Sequence, residues 1–284
     1  MSSTALKLLA LGLMLIDHIY EFFPGMPVIL TILGRISAPL FFFCTAWGFH
    51  HTRSRETYLL RLYDCSVLMG ILDCVLNQSV AEPLRQCKNN IFGTLFLVCL
   101  FLYLWEKWQE PKKKVLAVAA FLVINELAQL LCTGLLASPL GPALNGGLGI
   151  SRRNFLLILR GFLPNYYSCE GGLWTVAMGL VLAFCKDSPK RLALGFGGYC
   201  LVYFLYTLRN GCLLGQTQWL SYLFTDSIQW LQILALPFML RYNGGRGRGM
   251  KYLFYVFYPV HIAILFWLGN VIAGKLCFFR CLGK

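Results

Sequence analysis

ALKLLALGLMLIDHIYEFF, residues Ala5 to Phe23, is an apolar run with Asp17 and His18 inside it. It is long enough to cross the ~30 Å hydrocarbon core of a bilayer as a helix. An ionisable group at the centre of a membrane helix costs about 2.5–3.5 kcal/mol on insertion scales, so one that is kept there marks a functional position by default. Lys7 and His18 are eleven positions apart. At ~100° per residue that is three turns plus ~20°, so the two side chains share a helix face. Asp17 and His18 are neighbours and point ~100° apart. Asp17 therefore does not hold the His18 ring, and a third group must pair with one of them. The bland reading of the pair is a hydrated position among headgroups.

The rest of the chain repeats the theme. Of 284 residues 58 % are hydrophobic and 13 % charged, well below the roughly 25 % charged residues of soluble domains. Apolar runs recur to the end and leave no hydrophilic block for a second globular domain. The composition therefore predicts one membrane-embedded domain over residues 1–284, an all-α polytopic helical bundle. The net charge of +13 falls in short connections between apolar runs. That is the positive-inside pattern rather than a polynucleotide footprint, so nucleic acid is not an expected partner. The twelve cysteines are scattered, none in a C-x2-C pattern, with Cys277 and Cys281 the only close pair. Neither a disulfide framework nor a metal site is expected. The first segment has a single Lys before its apolar run and no small-residue cleavage site, and reads as a retained anchor.

The first run stops at Phe22-Phe23-Pro24-Gly25, and a second spans Val28 to Phe49 with Gly34-Arg35 inside it. In an antiparallel hairpin centred near Gly25, Asp17 and Arg35 lie within about two residues, or ~3 Å, of the same depth. Arg35 is the expected neutralising partner of Asp17, which leaves His18 for chemistry. Further runs are Tyr58–Leu76, Ile91–Trp105, Val115–Leu136, Gly171–Phe184, Leu192–Leu208, Trp219–Leu240 and Lys251–Ile272. They make nine transmembrane helices with the amino terminus cytoplasmic. The short piece Phe155–Leu163 is expected to be interfacial or re-entrant; if it spans, the count becomes ten. Asn125, Glu126 and Gln129 form a polar patch in the fifth run that must face protein or a cavity.

Three stretches carry a resemblance. They are Lys7 with Met14-x-x-Asp17-His18-Ile19; Gly34-Arg35-x-x-Ala38-Pro39-Leu40-Phe41 running on through His50-His51-Thr52-Arg53-Ser54-Arg55 to Arg61; and Lys251-Tyr252-Leu253-Phe254-Tyr255-x-x-Tyr258-Pro259-x-His261. Their order and spacing resemble the TraX family, named for acetylation of conjugative pilin, with Asn90-Ile91-x-x-Thr94 as a further match. Lys7, with ten residues between it and His18, is also similar to the Arg-x10-His motif of integral-membrane acyltransferases, with Lys standing for Arg. Tyr20 departs from the small residue expected after Asp-His-Ile. Between about Ala117 and Leu240 only the hydropathy matches.

The resemblance implies an acetyltransferase of the cell (inner, cytoplasmic) membrane that uses cytoplasmic acetyl-CoA. The acceptor would be an amine such as a pilin or peptide amino terminus. Acylation of an amine or hydroxyl needs a base to take the proton, and imidazole, with its reference pKa near 6.5, suits that task. His18 and His261 are the two candidates, with Asp17 and Arg35 as charge partners. His261 has a second reading, satisfying a carbonyl freed by Pro259. Oxyanion donors would come from Arg35 or Asn90. The donor's phosphates need cations, which His50, His51, Arg53, Arg55, Arg61, Arg246, Arg248 and Lys251 supply; alternatively these only set topology or meet anionic headgroups. Lys7, Asn90, Thr94 and Tyr258 are candidate acceptor-side residues, Tyr258 also reading as packing. Two other enzyme-free readings stand beside this one: a transporter or flippase with Asp17, Arg35, Glu126 and His261 on its path, and a secretion assembly subunit. A glycan O-acetyltransferase is the enzymatic alternative.

Overall fold

The structure, a computed structural model, describes residues 1–80, 83–140, 142–143, 147 and 149–274, apart from the side chain of Lys251. Cys277, Cys281 and the basic tail Lys275, Arg280 and Lys284 lie outside the described residues. No strand occurs among the described residues. The helices are α1 (Ser3–Phe22), α2 (Ile29–Gly34), α3 (Ser37–His50), α4 (Arg55–Gln78), α5 (Ile91–Lys107) and α6 (Pro111–Ala137). Then come a short helix Arg152–Phe162, Gly172–Cys185, Pro189–Leu213, a broken helix over Trp219–Leu240, and a last helix Lys251–Ile272.

Helix starts follow local chemistry. The side chains of Ser2, Ser54, Asn90, Ser151 and Ser188 each accept an N–H from the first turn of the helix they open, satisfying donors that no helix can satisfy internally. α2 and α3 are one apolar run interrupted at Arg35 and Ile36. Pro39, in the first turn of α3, has no N–H to continue a ladder through that point.

By length and hydropathy, four helices among the described residues are able to cross a membrane: Ile29–His50, Pro111–Ala137, Pro189–Leu213 and Tyr252–Ile272. A fifth is added if the bent pair Trp219–Asp226 and Ile228–Leu240, at 58°, is one span. Many large apolar side chains on these helices face outward, among them Leu122, Val123, Leu130, Leu131, Leu201, Val202, Leu205, Val256 and Val260. Apolar surface on that scale belongs in lipid, and the chain is a membrane protein. The nine-span expectation goes beyond these helices. α4 carries Arg55, Glu56, Arg61, Asp64 and Asp73, and α5 has only 17 residues.

The chain divides into two compact units, Met1–His50 with Met178–Tyr258, and His51–Ala177 with the residues from Pro259 onward. In the first, α1 packs on α2 and α3, and helix Pro189–Leu213 packs on Ile228–Ala235. In the second, α4 packs on α5 and most extensively on the short helix Arg152–Phe162. That helix is amphipathic. It buries Phe155, Leu157, Leu159 and Gly161, and Phe155 and Leu159 cluster with Cys132 of α6. The expectation of a non-spanning piece here matches an 11-residue helix.

Gly70 and Gly161 let α4 and the short helix touch backbone to backbone. A Cβ at Gly70 would lie 2.7 Å from the Leu157 carbonyl oxygen and 3.0 Å from Gly161 Cα. Small residues at such crossings are what allow membrane helices to gain close packing. Gly70→Ala is therefore expected to destabilise by about 1–3 kcal/mol through overpacking, measured as a lower thermal midpoint in detergent. An unchanged midpoint would show that the crossing opens without cost.

Candidate functional site

Asp17 and His18 leave α1 in different directions, and each finds its own partners within the first unit. Asp17 faces α2. Its Oδ1 accepts the Thr31 hydroxyl at 2.6 Å and its Oδ2 accepts Arg35 Nη2 at 2.5 Å. Arg35 also donates from Nε to the Thr31 carbonyl at 3.2 Å and from Nη1 to Gln229 Oε1 at 2.9 Å. The pair is only partly exposed, 18 % for Asp17 and 25 % for Arg35. Mutual neutralisation is what makes two charges tolerable at that depth. The close approach requires Gly34, where a Cβ would sit 2.3 Å from Asp17 Cβ and Cγ. The Gly34-Arg35 dipeptide thus brings α2 close enough for the ion pair.

His18 turns the other way and is buried. Its Nε2 lies 3.7 Å from Glu21 Oε2, one turn on. Its ring meets the edge of Tyr258, centroid to centroid 6.3 Å, and Phe22 at 6.4 Å. Lys7 lies over the Phe254 ring at 5.3 Å. Phe254 and Tyr258 are one turn apart on the last helix, so the face shared by Lys7 and His18 rests on that helix.

Sequence reasoning passed over Glu21 and Gln229. Glu21 was readable from its i+3 spacing to His18. Gln229, 194 residues from Arg35, was not. It sits just past a π-helical turn, Tyr222–Asp226, at the bend of the broken helix. Trp230 Nε1 there donates to the Leu223 carbonyl at 3.0 Å, and such irregular turns are frequent at functional sites.

The expected cations divide. Arg53, Arg61, Arg246 and Arg248 are exposed, and among the described residues none makes an ion pair. His50 and His51 are exposed as well. Arg55 is committed to Glu106 at 2.7 Å. Beside it, Glu56 is held below its ordinary carboxyl range by a backbone hydrogen bond and by the Tyr103 hydroxyl. The Gly/Arg loop has a structural use through its backbone. Ser3 and Thr4 N–H donate to the carbonyls of Gly245 and Arg246, and the Thr4 hydroxyl bonds the Arg246 and Arg248 carbonyls. The loop caps α1, and Gly247, with φ 74°, supplies the left-handed residue it needs.

In the second unit, Asn90 caps α5. Its Oδ1 accepts Gly93 N–H, and its Nδ2 donates to the Ser66 carbonyl at 2.9 Å. Thr94, fully buried, donates to the Glu170 carbonyl at 3.0 Å. The amide of Asn90 and the nitrogens of Arg35 are thus both engaged by the protein. His261 is buried two residues past Pro259 in the last helix. Asn125 is buried, and its Oδ1 accepts Tyr166 N–H. Glu126 is exposed, with its carboxylate taking hydroxyls from Tyr166 and Tyr167 at 2.7 and 2.6 Å. Among the described residues no three His, Cys, Asp or Glu side chains are grouped as metal ligands would be.

With this geometry in view, comparison with known families gives one match. The TraX protein family model covers residues 2–136. Over those residues the chain is similar to the TraX family. The TraX match holds Lys7, Asp17, His18, Glu21, Arg35, the His50–Arg61 stretch, Asn90 and Thr94, and ends with α6. The third stretch of the resemblance, Lys251 to His261, lies beyond it. No curated protein and no solved structure matches the chain.

Proposed function

We propose that this TraX-family chain is an integral-membrane acetyltransferase. It would move an acetyl group from cytoplasmic acetyl-CoA to an amine, such as the amino terminus of a pilin or another peptide. The observation that supports this reading best is the buried His18 with Glu21 at 3.7 Å, set beside a separately neutralised Asp17–Arg35 pair. A buried imidazole with a carboxylate one turn away is the base arrangement that amine acylation asks for.

In this reading the acceptor nitrogen attacks the thioester carbon as His18 takes its proton, and Glu21 stabilises the imidazolium. The C–S bond then breaks, and the departing thiolate receives the proton from His18. Asp17 and Arg35 act as positioning residues that hold α1 against α2. The exposed cations Arg53, Arg61, Arg246 and Arg248 suit the phosphates of the donor. The chain would cross the inner membrane nine times with its amino terminus cytoplasmic, which puts these cationic loops on the donor side.

The test is purified protein in nanodiscs with acetyl-CoA and a peptide carrying a free amino terminus. The expected result is thiol release matched by a one-acetyl mass gain on the peptide; thiol release without an acylated product would overturn the reading. Glu21→Gln should lower kcat about tenfold with acetyl-CoA affinity unchanged, and an equal kcat would remove Glu21 from the mechanism. One observation favours transport instead, namely the broken helix that presents Gln229 to Arg35, since discontinuous helices line transporter sites. Solute uptake into vesicles with no thioester consumed would decide for it.

A further inference from the structure

The short helix Arg152–Phe162 has 11 residues and is therefore ~16 Å long, about half of a ~30 Å hydrocarbon core. Its neighbours in the second unit show how far it reaches. It runs antiparallel to α4. At the end of α4, Gln78 Nε2 donates to the Gly149 carbonyl at 3.4 Å; at its middle, Ser66 Oγ donates to the Gly161 carbonyl at 3.2 Å and the Tyr63 hydroxyl to the Phe162 carbonyl at 2.9 Å. α6 gives the same register. Arg152 Nη2 donates to the Leu136 carbonyl at 3.0 Å, next to the last residue of α6. Beyond the short helix, Tyr166 N–H donates to Asn125 Oδ1 at 3.0 Å, and the Tyr166 and Tyr167 hydroxyls donate to Glu126, both at the middle of α6. The short helix thus starts level with one end of a helix able to cross a membrane and stops level with its centre.

Leu163–Gly171, which follows, is not helical. α5 begins at the same level, because Asn90 donates to the Ser66 carbonyl and Thr94 to the Glu170 carbonyl. Non-helical backbone at membrane depth is stable only where protein covers it or water reaches it. A polar cleft of about 20 Å³ lies between the two breaks, lined by Asp73, Lys88, Asn90, Arg160, Ser168 and Glu170. Arg160 Nε and Ser168 Oγ are buried and take no hydrogen-bond partner from the protein. Two carboxylates balance two cations on this wall, so its guest is neutral. One water fits the volume, and it can accept from Arg160 Nε and bond Ser168 Oγ. The rim faces the end of α4. Lys88 is exposed there, and its neighbour Cys87 donates its thiol to Asp73 Oδ1 at 3.0 Å, seven residues past Ser66.

We propose that Arg152–Gly171 is a half-span that enters the membrane from the face where α6 ends, and that its tip holds a hydrated polar site at the mid-plane, reached by water from that face. The second unit then carries aqueous contact halfway across the bilayer. Desolvation of Asp73, Glu170, Arg160 and Lys88 at that depth is relieved by the water and by their mutual charge balance. The inference stands independently of the acetyltransferase reading, since it uses no residue of the first unit.

The test uses the full chain in phosphatidylcholine nanodiscs and two readouts. A nitroxide on Phe162→Cys, an exposed position, reports depth from its collisions with oxygen and with a water-soluble nickel chelate. It is expected to match a nitroxide on Leu127→Cys, exposed at the middle of α6, and to differ from one on Val115→Cys, exposed near its start. X-ray radiolysis of water, read by mass spectrometry, reports hydration at single cysteines. Cys169, which lines the cleft, should oxidise about tenfold or more faster than Cys99, which is 0 % exposed in α5. Ser168→Leu should fill the cleft and bring Cys169 down to the rate of Cys99, with the depth at 162 unchanged. If Ser168→Leu does not fold, Lys88→Trp at the exposed rim should slow Cys169 oxidation about threefold. A nitroxide at 162 with the depth of one at 115 overturns the proposal. So does equal oxidation of Cys169 and Cys99, or oxidation of Cys169 that is undiminished in folded Ser168→Leu or in Lys88→Trp.

Discussion

Replacing His18 by alanine is expected to lower acetyl transfer by about 10²–10⁴-fold, the range of general-base catalysis, while acetyl-CoA binding persists. The ring is buried and touches the Tyr258 edge and Phe22, so removing it also leaves a void. His18→Asn fills more of that space without supplying a base, and it should show the same kinetic loss with a smaller drop in thermal midpoint. The measurement that decides is single-turnover transfer in both variants beside donor affinity. Transfer at the wild-type rate with donor still bound would mean that the base lies elsewhere, with His261 the next residue to replace.

The second large effect is expected at the Asp17–Arg35 pair. Removing one partner of a desolvated ion pair leaves the other charge uncompensated and costs about 3–5 kcal/mol in a fully buried setting. The exposure of these side chains, 18 % and 25 %, lowers the expectation to about 2–3 kcal/mol. Arg35→Met strands the carboxylate, and Asp17→Asn leaves the guanidinium with Gln229 and Thr31 alone. The double variant should be less destabilised than the sum of the two, with a coupling of about 1–3 kcal/mol. Additive losses in thermal or denaturant unfolding would show that the two groups do not stabilise each other. Gly34→Ala should resemble Arg35→Met, because its Cβ would occupy the space of the Asp17 side chain.

The two charges and the histidine owe their separate surroundings to one geometric fact, that adjacent residues on a helix diverge by ~100°. Asp17 is thereby given to α2 and His18 to the last helix. Neutralising Asp17 with its own cation leaves the imidazole in an environment set by Glu21 and Tyr258. If His18 is the base, this arrangement would separate anchoring of the opening hairpin from chemistry. Variants of Arg35 should therefore be read first as stability variants and variants of Glu21 first as rate variants.

On the acetyltransferase reading, the Gly/Arg loop would have two uses at once. Its backbone carbonyls take the first N–H groups of α1 and the Thr4 hydroxyl, which accounts for the glycines. Its Arg246 and Arg248 side chains are exposed and on that reading would meet the donor's phosphates. A loop that both caps the helix bearing His18 and meets the donor would tie donor binding to the position of that helix.

Composition and hydropathy were sufficient for the membrane class and the all-helical fold, because apolar runs of this length have no other stable home. The Asp17–Arg35 pairing was also legible in the chain. Two helices joined by a short turn run antiparallel at 1.5 Å per residue, so depth follows from counting. The face shared by Lys7 and His18 came from the same arithmetic. What only the tertiary structure decided is rotation and long-range neighbourhood: Gln229 reaching Arg35, Asn90 spending its amide on Ser66, and Arg160 and Ser168 meeting Lys88 around one cleft. Those meetings depend on how helices distant in sequence are turned and packed against each other, and no periodicity within one segment encodes that.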